Sequence, residues 1–497
     1  MNRATFLKRA GLGAALAAGA GATAVPALPR ATAAYKPSLA ALARLTQGPL
    51  ITPGSAGYNA ARQVANARYS GARPLAILMA RNAQDVRQAI LWSQRNGVRL
   101  TARSGGHSYA GYSTLNGGLV VDLSTMNGIA VSTDRRSVQV GAGNDLINVY
   151  TALANRGLTI PAGSCPTVGV GGLALGGGVG LASRALGTTS DNIVALTVVT
   201  ADGQVRTCDA RTNPDLYWAC RGGGGGNFGI ATGFTFRTHQ VSSAAYFFAS
   251  FAWRDAADVI AAWQKWAPNA PNELFSICSL GTGPGGPILN VFGQYMGSSG
   301  ALRRTLQRGL LSAATPTSLQ VGTSPYLSLI QRWAGCLGES PAACRTQPHD
   351  LFAAKSRYAL KPIPATGIRA LISVIEQRQR QSSLGSGAIL MDSYGGKIND
   401  IAPGATAFVH RNALFSLQYG AYWQSAAGAS PGLTWIRGAV RATQPYVSGY
   451  SYQNYIDPEL TTWQNAYYGT NLARLIDVKS TYDKDDFFRF RQSIPVR

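Results

Sequence analysis

The chain has 497 residues, which is enough for two domains that each bury a core of their own. Hydrophobic residues make up 46% and charged residues only 13%, so the composition excludes an intrinsically disordered chain and indicates a globular one. The net charge of +23 comes without a basic run or a cluster of basic and aromatic residues, and it therefore indicates a solvated basic surface and no nucleic-acid partner.

The first 34 residues have the composition of an export signal. Residues 1–9 are basic, residues 10–24 are small and apolar, and a cleavage site of the Ala-x-Ala type lies near Ala33 and Ala34. The basic part resembles a twin-arginine signal in which Ala4 replaces the second arginine, which leaves the export route open. The apolar run is too short and too rich in glycine for a membrane span, so we expect a secreted or periplasmic protein.

Residues 35–73 are predicted to form a lead-in segment, and residues 74–240 then alternate strand and helix patterns. Helical spacing through Val86 and Ile90 ends at Gly97. Asp202 followed by glycine is typical of a hairpin turn. The predicted strands are 74–79, 97–102, 118–123 and 137–143, the predicted helices are 83–96 and 145–156, and the predicted hairpin is 191–205.

The pattern changes at about residue 241. Residues 244–251 and 287–295 are predicted as strands, and residues 256–266 and 299–310 are predicted as helices. This mixture indicates an antiparallel sheet backed by helices. With the first part it predicts an α+β fold.

Six cysteines fit an oxidising destination. Cys336 and Cys344 enclose a short, turn-prone loop that a disulfide can close. Cys208 and Cys220 offer a second pair, although Cys220 is equally typical of a small buried apolar residue. The four histidines lack ligand spacing, so no metal site is predicted. The histidines expected to be structural or exposed are His239, His349 and His410.

Two glycine-rich loops, residues 103–113 and 161–172, are the most informative stretches of the chain. In the first loop a predicted strand ends in Ser-Gly-Gly, which presents bare N–H groups that an anion such as a diphosphate can approach closely. His107 lies at the edge of this loop, and Cys165 lies in the second. A histidine beside glycines is by itself more typical of a turn; the pairing of the two loops favours a binding site.

These loops resemble, almost residue for residue, the flavin-binding loops of the berberine-bridge-enzyme-like subgroup of the vanillyl-alcohol oxidase/p-cresol methylhydroxylase flavoproteins. The motifs are Arg-Ser-Gly-Gly-His and Cys-Pro-Thr-Val-Gly, and residues 218–230 and 452–455 match two more. The resemblance runs from about Pro74 to the end. It implies FAD bonded covalently to His107 through the flavin 8α-methyl and to Cys165 through flavin C6. The other residues it assigns to the cofactor are Arg103, Ser104, Gly105, Gly106, Ser108, Gly163, Val168, Gly169, Gly172, Asn227, Gly229, Ile230, Asn454 and Tyr455.

The resemblance also implies how the α+β fold is divided. Residues 74–240 and a returning segment, 446–497, are expected to form a two-part PCMH-type FAD-binding domain. Residues 241–445 are expected to form a substrate domain that covers one face of the flavin.

Catalysis by such a protein needs a base for the substrate hydroxyl. Tyr452 matches the catalytic tyrosine of sugar-oxidising relatives, and Asp392 and Tyr394 match a segment that supplies a second acid or phenol. Without the resemblance, these tyrosines are more typical of aromatic packing. Val168 matches a position that is valine in many oxygen-reactive members, which favours O2 as the electron acceptor.

The sequence therefore predicts an exported oxidase with bicovalent FAD that acts on a carbohydrate hydroxyl, with an oligosaccharide as the expected substrate and H2O2 as the second product. A first alternative is the same scaffold oxidising another alcohol or closing a ring in a natural product. A second alternative is a flavin- or carbohydrate-binding protein without turnover.

Overall fold

The computed structural model describes residues 38–346 and 349–497. The predicted export signal lies outside the described residues. The helices are α1 Leu39–Leu45, α2 Tyr58–Ala61, α3 Ala83–Arg95, α4 Leu146–Ala154, α5 Val170–Leu175, α6 Ser183–Leu186, α7 Pro214–Ala219, α8 Ala256–Trp266, α9 Ser299–Arg308, α10 Tyr326–Ala334, α11 Pro341–Arg345, α12 Ala365–Gln379, α13 Ala426–Thr443, α14 Trp463–Tyr468 and α15 Leu472–Tyr482.

Within residues 38–346 and 349–497 the strands form four sheets. They are β1 Leu50–Ile51, β2 Ala76–Met79, β3 Leu100–Arg103, β4 Leu119–Asp122, β5 Ile129–Val131, β6 Ser137–Gly141, β7 Leu158–Thr159, β8 Ile193–Val199, β9 Val205–Cys208, β10 Ile230–Arg237, β11 His239–Gln240, β12 Ser243–Phe251, β13 Leu274–Gly281, β14 Ile288–Tyr295, β15 Ser318–Pro325, β16 Leu351–Ala359, β17 Ser386–Ser393 and β18 Phe415–Trp423.

The first sheet has the order β1-β2-β4-β3, in which β2, β4 and β3 run parallel. Its crossover helix α3 begins after Asn82, whose side-chain oxygen accepts a hydrogen bond from the backbone N of Asp85 at 2.9 Å and so caps the helix. The register sets Arg103 directly beside Asp122 at the carboxyl ends of β3 and β4. The first glycine-rich loop begins at that edge.

The second sheet is antiparallel, with the order β5-β6-β10-β8-β9. The predicted hairpin is confirmed, because Val199 on β8 pairs with Val205 on β9. A buried apolar core joins this sheet to the first, and it includes Ile90, Val121 and Phe234.

The part after residue 241 contains a seven-stranded antiparallel sheet in the order β15-β12-β14-β13-β17-β18-β16. Helices α8, α12 and α13 pack against one face, which confirms the prediction of a sheet backed by helices. Side chains alternate along β17: Ile389 and Met391 join the core under the helices, while Leu390 belongs to the core on the opposite side. That opposite face looks toward the glycine-rich loops.

Two of the six cysteines form a disulfide, and the other four are thiols. Cys336 and Cys344 form the predicted disulfide. The alternative pairing of Cys208 with Cys220 is wrong, since both are buried thiols that pack in the apolar core.

Candidate cofactor site and active site

A cavity of about 770 Å³ lies between the two glycine-rich loops, the glycine run at residues 222–226 and the open face of the seven-stranded sheet. This volume falls within the range of roughly 300–1,000 Å³ that is usual for ligand pockets. None of the helices in the described part of the chain combines the length and apolar character needed to cross a bilayer.

The two glycine-rich loops touch each other through their backbones. A Cβ atom on Gly105 would lie 2.3 Å from the backbone N of Gly169, and a Cβ on Gly169 would lie 2.1 Å from the backbone N of Gly105. Only glycine fits at either position, because real Cβ contacts are never this short. Gly106 then turns the first loop with φ +71°, a conformation that glycine adopts without strain. This contact brings two distant stretches of the chain to one wall of the cavity.

Arg103 lines the cavity, but its guanidinium is used internally. Its Nε pairs with Asp122 at 2.6 Å, and its two terminal nitrogens donate to the carbonyl oxygens of Ala61 and Gln63 at 2.5 and 3.3 Å. The pair is almost fully buried. Arg103 therefore fixes the base of the first loop.

His107 and Cys165 lie on the same wall and both contact Thr167. His107 Nε2 is 2.9 Å from Thr167 Oγ1, and Cys165 Sγ is 3.7 Å from the same oxygen. Burial lowers the pKa of His107 to about 4, with a smaller contribution from the nearby His349. The imidazole is therefore neutral at neutral pH and keeps a lone pair on one ring nitrogen.

The glycine run is held from behind by the C-terminal segment. Asn227 donates through Nδ2 to the carbonyl oxygen of Gly223 at 3.0 Å, and its Oδ1 accepts a hydrogen bond from the backbone N of Ile494 at 2.9 Å. The buried Lys479 donates to the Asn227 carbonyl oxygen at 2.9 Å. Gly224 has φ +86°, so the run turns where a side chain would be strained. Asn227 thus positions the backbone that lines the cavity.

Tyr452 reaches the cavity from the returning segment. Its Oη accepts hydrogen bonds from the backbone N of Gly178 at 2.7 Å and from Asn454 Nδ2 at 2.9 Å. Asn454 Nδ2 also donates to the carbonyl oxygen of Leu173 at 3.0 Å, which ties the segment to α5. Burial raises the pKa of Tyr452 well above its ordinary value, and the two donors oppose that rise. The phenol is therefore protonated at neutral pH but has two N–H groups aimed at its oxygen.

Asp392 and Tyr394 do not line the cavity. Tyr394 lies in a buried aromatic cluster with Tyr452, where its Oη is 3.1 Å from Tyr358 Oη, and burial raises its pKa well above the ordinary value. Asp392 is 3% exposed. The predicted residues that do line the cavity are Arg103, Ser104, Gly105, Gly106, His107, Ser108, Gly163, Cys165, Val168, Gly169, Gly172, Asn227, Gly229, Ile230, Tyr452, Asn454 and Tyr455.

Sequence reasoning missed an aromatic wall of the cavity. Tyr109 stacks on Tyr455 with ring centroids 5.3 Å apart and an interplanar angle of 6°, and Phe352 on β16 stacks on Tyr422 on β18 at 5.7 Å. Gln418 Nε2 donates to Tyr109 Oη at 2.8 Å. Tyr109 belongs to the predicted loop and could have been found there, and Tyr455 was predicted; Phe352, Gln418 and Tyr422 are distant in sequence and carry no motif.

The three histidines outside the glycine-rich loops differ in their burial and in their partners. His349 is exposed and lines the cavity, with its Nδ1 2.7 Å from the carbonyl oxygen of Val64. His239 is half-buried and its Nε2 lies 2.7 Å from Asn192 Oδ1. His410 is buried in the aromatic cluster against Tyr358.

Comparison with known proteins places this cavity in a known class. A model described as an FAD binding domain matches residues 74–209, and a model described as berberine and berberine like matches residues 451–495. An FAD-linked oxidoreductase of Bacillus subtilis, YgaK, is 35% identical over 455 residues, which cover 90% of this chain and 97% of that protein. The solved structure of Physcomitrella patens BBE-like 1 has a TM-score of 0.84 and 34% identity over 93% of this chain and 99% of that one. A chitooligosaccharide oxidase has a TM-score of 0.83 and 28% identity over 92% and 99%.

The fold and the cavity together define an FAD-dependent oxidoreductase built on the PCMH-type α+β fold. The chain belongs to the berberine-bridge-enzyme-like family of FAD-linked oxidoreductases.

The cavity residues fit FAD. Gly172 faces the cavity, and nothing lies within 4 Å of where its Cβ would be, so the space beside this part of α5 is open to a ligand. The donor set also suits the cofactor, because a neutral imidazole and a thiol lie together on one wall of the cavity. The resemblance assigns both of these side chains to the ring system.

Proposed function

We propose that this protein is a secreted oxidase that binds FAD covalently through both His107 and Cys165, oxidises a hydroxyl group of an oligosaccharide-type carbohydrate, and uses O2 as electron acceptor with release of H2O2. The observation that carries the proposal is the meeting of the two side chains at one hydroxyl, Thr167 Oγ1, on the cavity wall. A single planar ring system can reach both from there.

Bound FAD supplies a hydride acceptor and passes the two electrons to dioxygen. We assign to Tyr452 the acceptance of the substrate hydroxyl proton. Because the phenol is protonated at neutral pH, it first gives its own proton to water in the cavity. The N–H groups of Gly178 and Asn454 that point at its oxygen stabilise the negative charge on that oxygen when the phenol has given up its proton. Asp392 and Tyr394 do not reach the cavity, so we assign the proton step to Tyr452 alone.

The carbohydrate assignment rests on the aromatic wall and on the similarity to a chitooligosaccharide oxidase. Tyr109, Phe352 and Tyr422 present apolar ring surfaces, and Gln418 adds a polar group among them. Pockets of this kind orient a ligand by a few polar contacts on a largely apolar lining. Such a surface suits a sugar ring, which has apolar C–H faces and a polar rim.

Secretion is supported by the predicted export signal and by the disulfide between Cys336 and Cys344, since disulfides persist in oxidising compartments. Appearance of the mature chain, cut near Ala33 or Ala34, outside the cytoplasm of the expressing cell checks this part. Full-length chain retained in the cytoplasm contradicts it.

The covalent cofactor and the activity are tested in two steps. The protein is precipitated with acid, and the yellow colour is expected to stay with the polypeptide and to map to peptides that contain His107 and Cys165. Release of H2O2 is then measured with a panel of mono- and oligosaccharides and of simple alcohols. The His107→Ala/Cys165→Ala variant is the matched control for the first step. A colourless polypeptide contradicts the attachment, and peroxide from alcohols but from no carbohydrate contradicts the substrate class.

A further inference from the structure

One hydroxyl group lies between the two side chains that we assign to the flavin. Thr167 Oγ1 is 2.9 Å from His107 Nε2, across 60 positions of sequence, and 3.7 Å from Cys165 Sγ. The position of Thr167 is fixed by its loop: the backbone N of Val168 donates to the carbonyl oxygen of Cys165 at 3.4 Å, and a Cβ on Gly105 would lie 2.6 Å from the carbonyl oxygen of Thr167. The hydroxyl is therefore held at this place by the contact between the two loops.

We infer that Thr167 is the positioning residue for covalent attachment of FAD: its hydroxyl lies within reach of both side chains, and we assign its oxygen as the acceptor of the Nε2–H of His107 and its hydrogen to Cys165 Sγ. A threonine hydroxyl has one donor and two acceptor lone pairs, so it can serve both side chains at once. The hydrogen bond at Nε2 fixes the tautomer and leaves the lone pair of His107 on Nδ1, which becomes the nucleophile. This inference rests on the proposed bicovalent function.

Each attachment is an oxidation and needs dioxygen. One C–H bond of the flavin and one N–H or S–H bond of the protein are lost, and one C–N or C–S bond forms. Two protons and two electrons pass to dioxygen, which is reduced to H2O2. At His107 the proton that leaves is the one on Nε2, so this nitrogen becomes an acceptor. The Thr167 hydroxyl then turns and donates to it.

The test follows attachment itself rather than turnover. Full-length apoprotein from a riboflavin-starved host is mixed with FAD in air, and the colour that stays with acid-precipitated chain is followed over time. The masses of the flavin peptides report each bond separately. Thr167→Val removes the hydroxyl and keeps the shape; both bonds are expected to form about tenfold more slowly, which corresponds to about 1.4 kcal/mol in the barrier. Thr167→Ser keeps the hydroxyl and is expected to restore the rate to within about threefold, or about 0.7 kcal/mol.

Thr232→Val is the matched control, because Thr232 is a buried threonine outside the cavity whose hydroxyl donates to the carbonyl oxygen of Thr197 at 3.4 Å. It is expected to attach FAD at the wild-type rate. Quenching of flavin fluorescence by non-covalent binding shows that each variant is folded. Wild-type chain that gains neither bond overturns the proposed function. If the wild-type chain gains both bonds, two results overturn the inference. One is that Thr167→Val attaches FAD as fast as the wild type, and the other is that Thr167→Ser attaches it as slowly as Thr167→Val.

Discussion

Replacing Tyr452 by phenylalanine tests the proton step most directly. The hydroxyl that is removed accepts two hydrogen bonds, from the backbone N of Gly178 and from Asn454 Nδ2, and Tyr452 is only 3% exposed. General-base catalysis contributes about 10²–10⁴-fold, so Tyr452→Phe is expected to lower the rate of flavin reduction by this factor while the flavin stays attached. The two N–H groups lose their partner, and each such loss costs about 1–3 kcal/mol of stability.

The assay is anaerobic mixing of the flavin-loaded protein with substrate, in which loss of the yellow colour gives the reduction rate. Tyr450→Phe is the matched control, because Tyr450 packs in the same aromatic cluster but does not line the cavity. It is expected to reduce flavin at the wild-type rate. A Tyr452→Phe protein that is folded, yellow and reduced at the wild-type rate refutes the assignment of the proton to this phenol.

Three further outcomes are expected. Lys479→Met leaves the buried carboxylate of Asp483 without its cation and lowers the free energy of unfolding by about 3–5 kcal/mol in urea titrations. Lys479→Met/Asp483→Leu does not recover the loss, because Asp483 also accepts hydrogen bonds from the backbone N atoms of Phe487 and Phe488. Burial lowers the pKa of His410 to about 3, so the unfolded chain takes up this proton first as the pH falls below 6.5. His410 alone therefore lowers the free energy of unfolding by about 2–3 kcal/mol between pH 7 and pH 4.5, and in urea titrations His410→Asn loses this part of the difference. Gly172→Ala raises apoprotein stability by about 0.5–1 kcal/mol, because glycine weakens a helix, but lowers FAD loading, because its methyl group enters the cavity. Each expectation has an outcome that contradicts it. These outcomes are a Lys479→Met protein as stable as the wild type, a His410→Asn protein that loses as much stability in acid as the wild type, and a Gly172→Ala protein that loads FAD fully.

The parts of the fold that sequence patterns predicted are those with strong local signals. Helix α8 has the predicted bounds Ala256–Trp266, and β12 and β14 follow their apolar runs within a residue of prediction. The order of strands was not predictable in this way. That β4 lies between β2 and β3 depends on which apolar faces meet in space, and α13 is a helix although Pro431 lies inside it. Tertiary packing overrides the local preference there.

In the candidate site, too, residues in local motifs were predictable and residues placed by tertiary packing were not. Loop motifs named residues that line one wall of the cavity, because motifs are short and contiguous. The aromatic wall with Phe352 and Gln418 depends on the register of β16 and β18, which no local pattern gives. Arg103 was expected at the cofactor because of its motif, but its pairing with Asp122 arises only when two parallel strands align. Asp392 was chosen by resemblance alone; it lies on the same face of β17 as Leu390, which lines the cavity, but Asp392 itself is buried and does not line it.

The bond from Ile494 to Asn227 has a consequence for how the enzyme is made. At synthesis rates of about 5–20 residues per second, residue 494 follows His107 out of the ribosome by roughly 20–80 s. A nascent chain therefore exposes both of the side chains that we propose to attach FAD long before the glycine run can be locked in place. Chains that stall before α15 carry His107 and Cys165 without an enclosed pocket, so under the proposed attachment a yellow polypeptide marks a translation product that was finished.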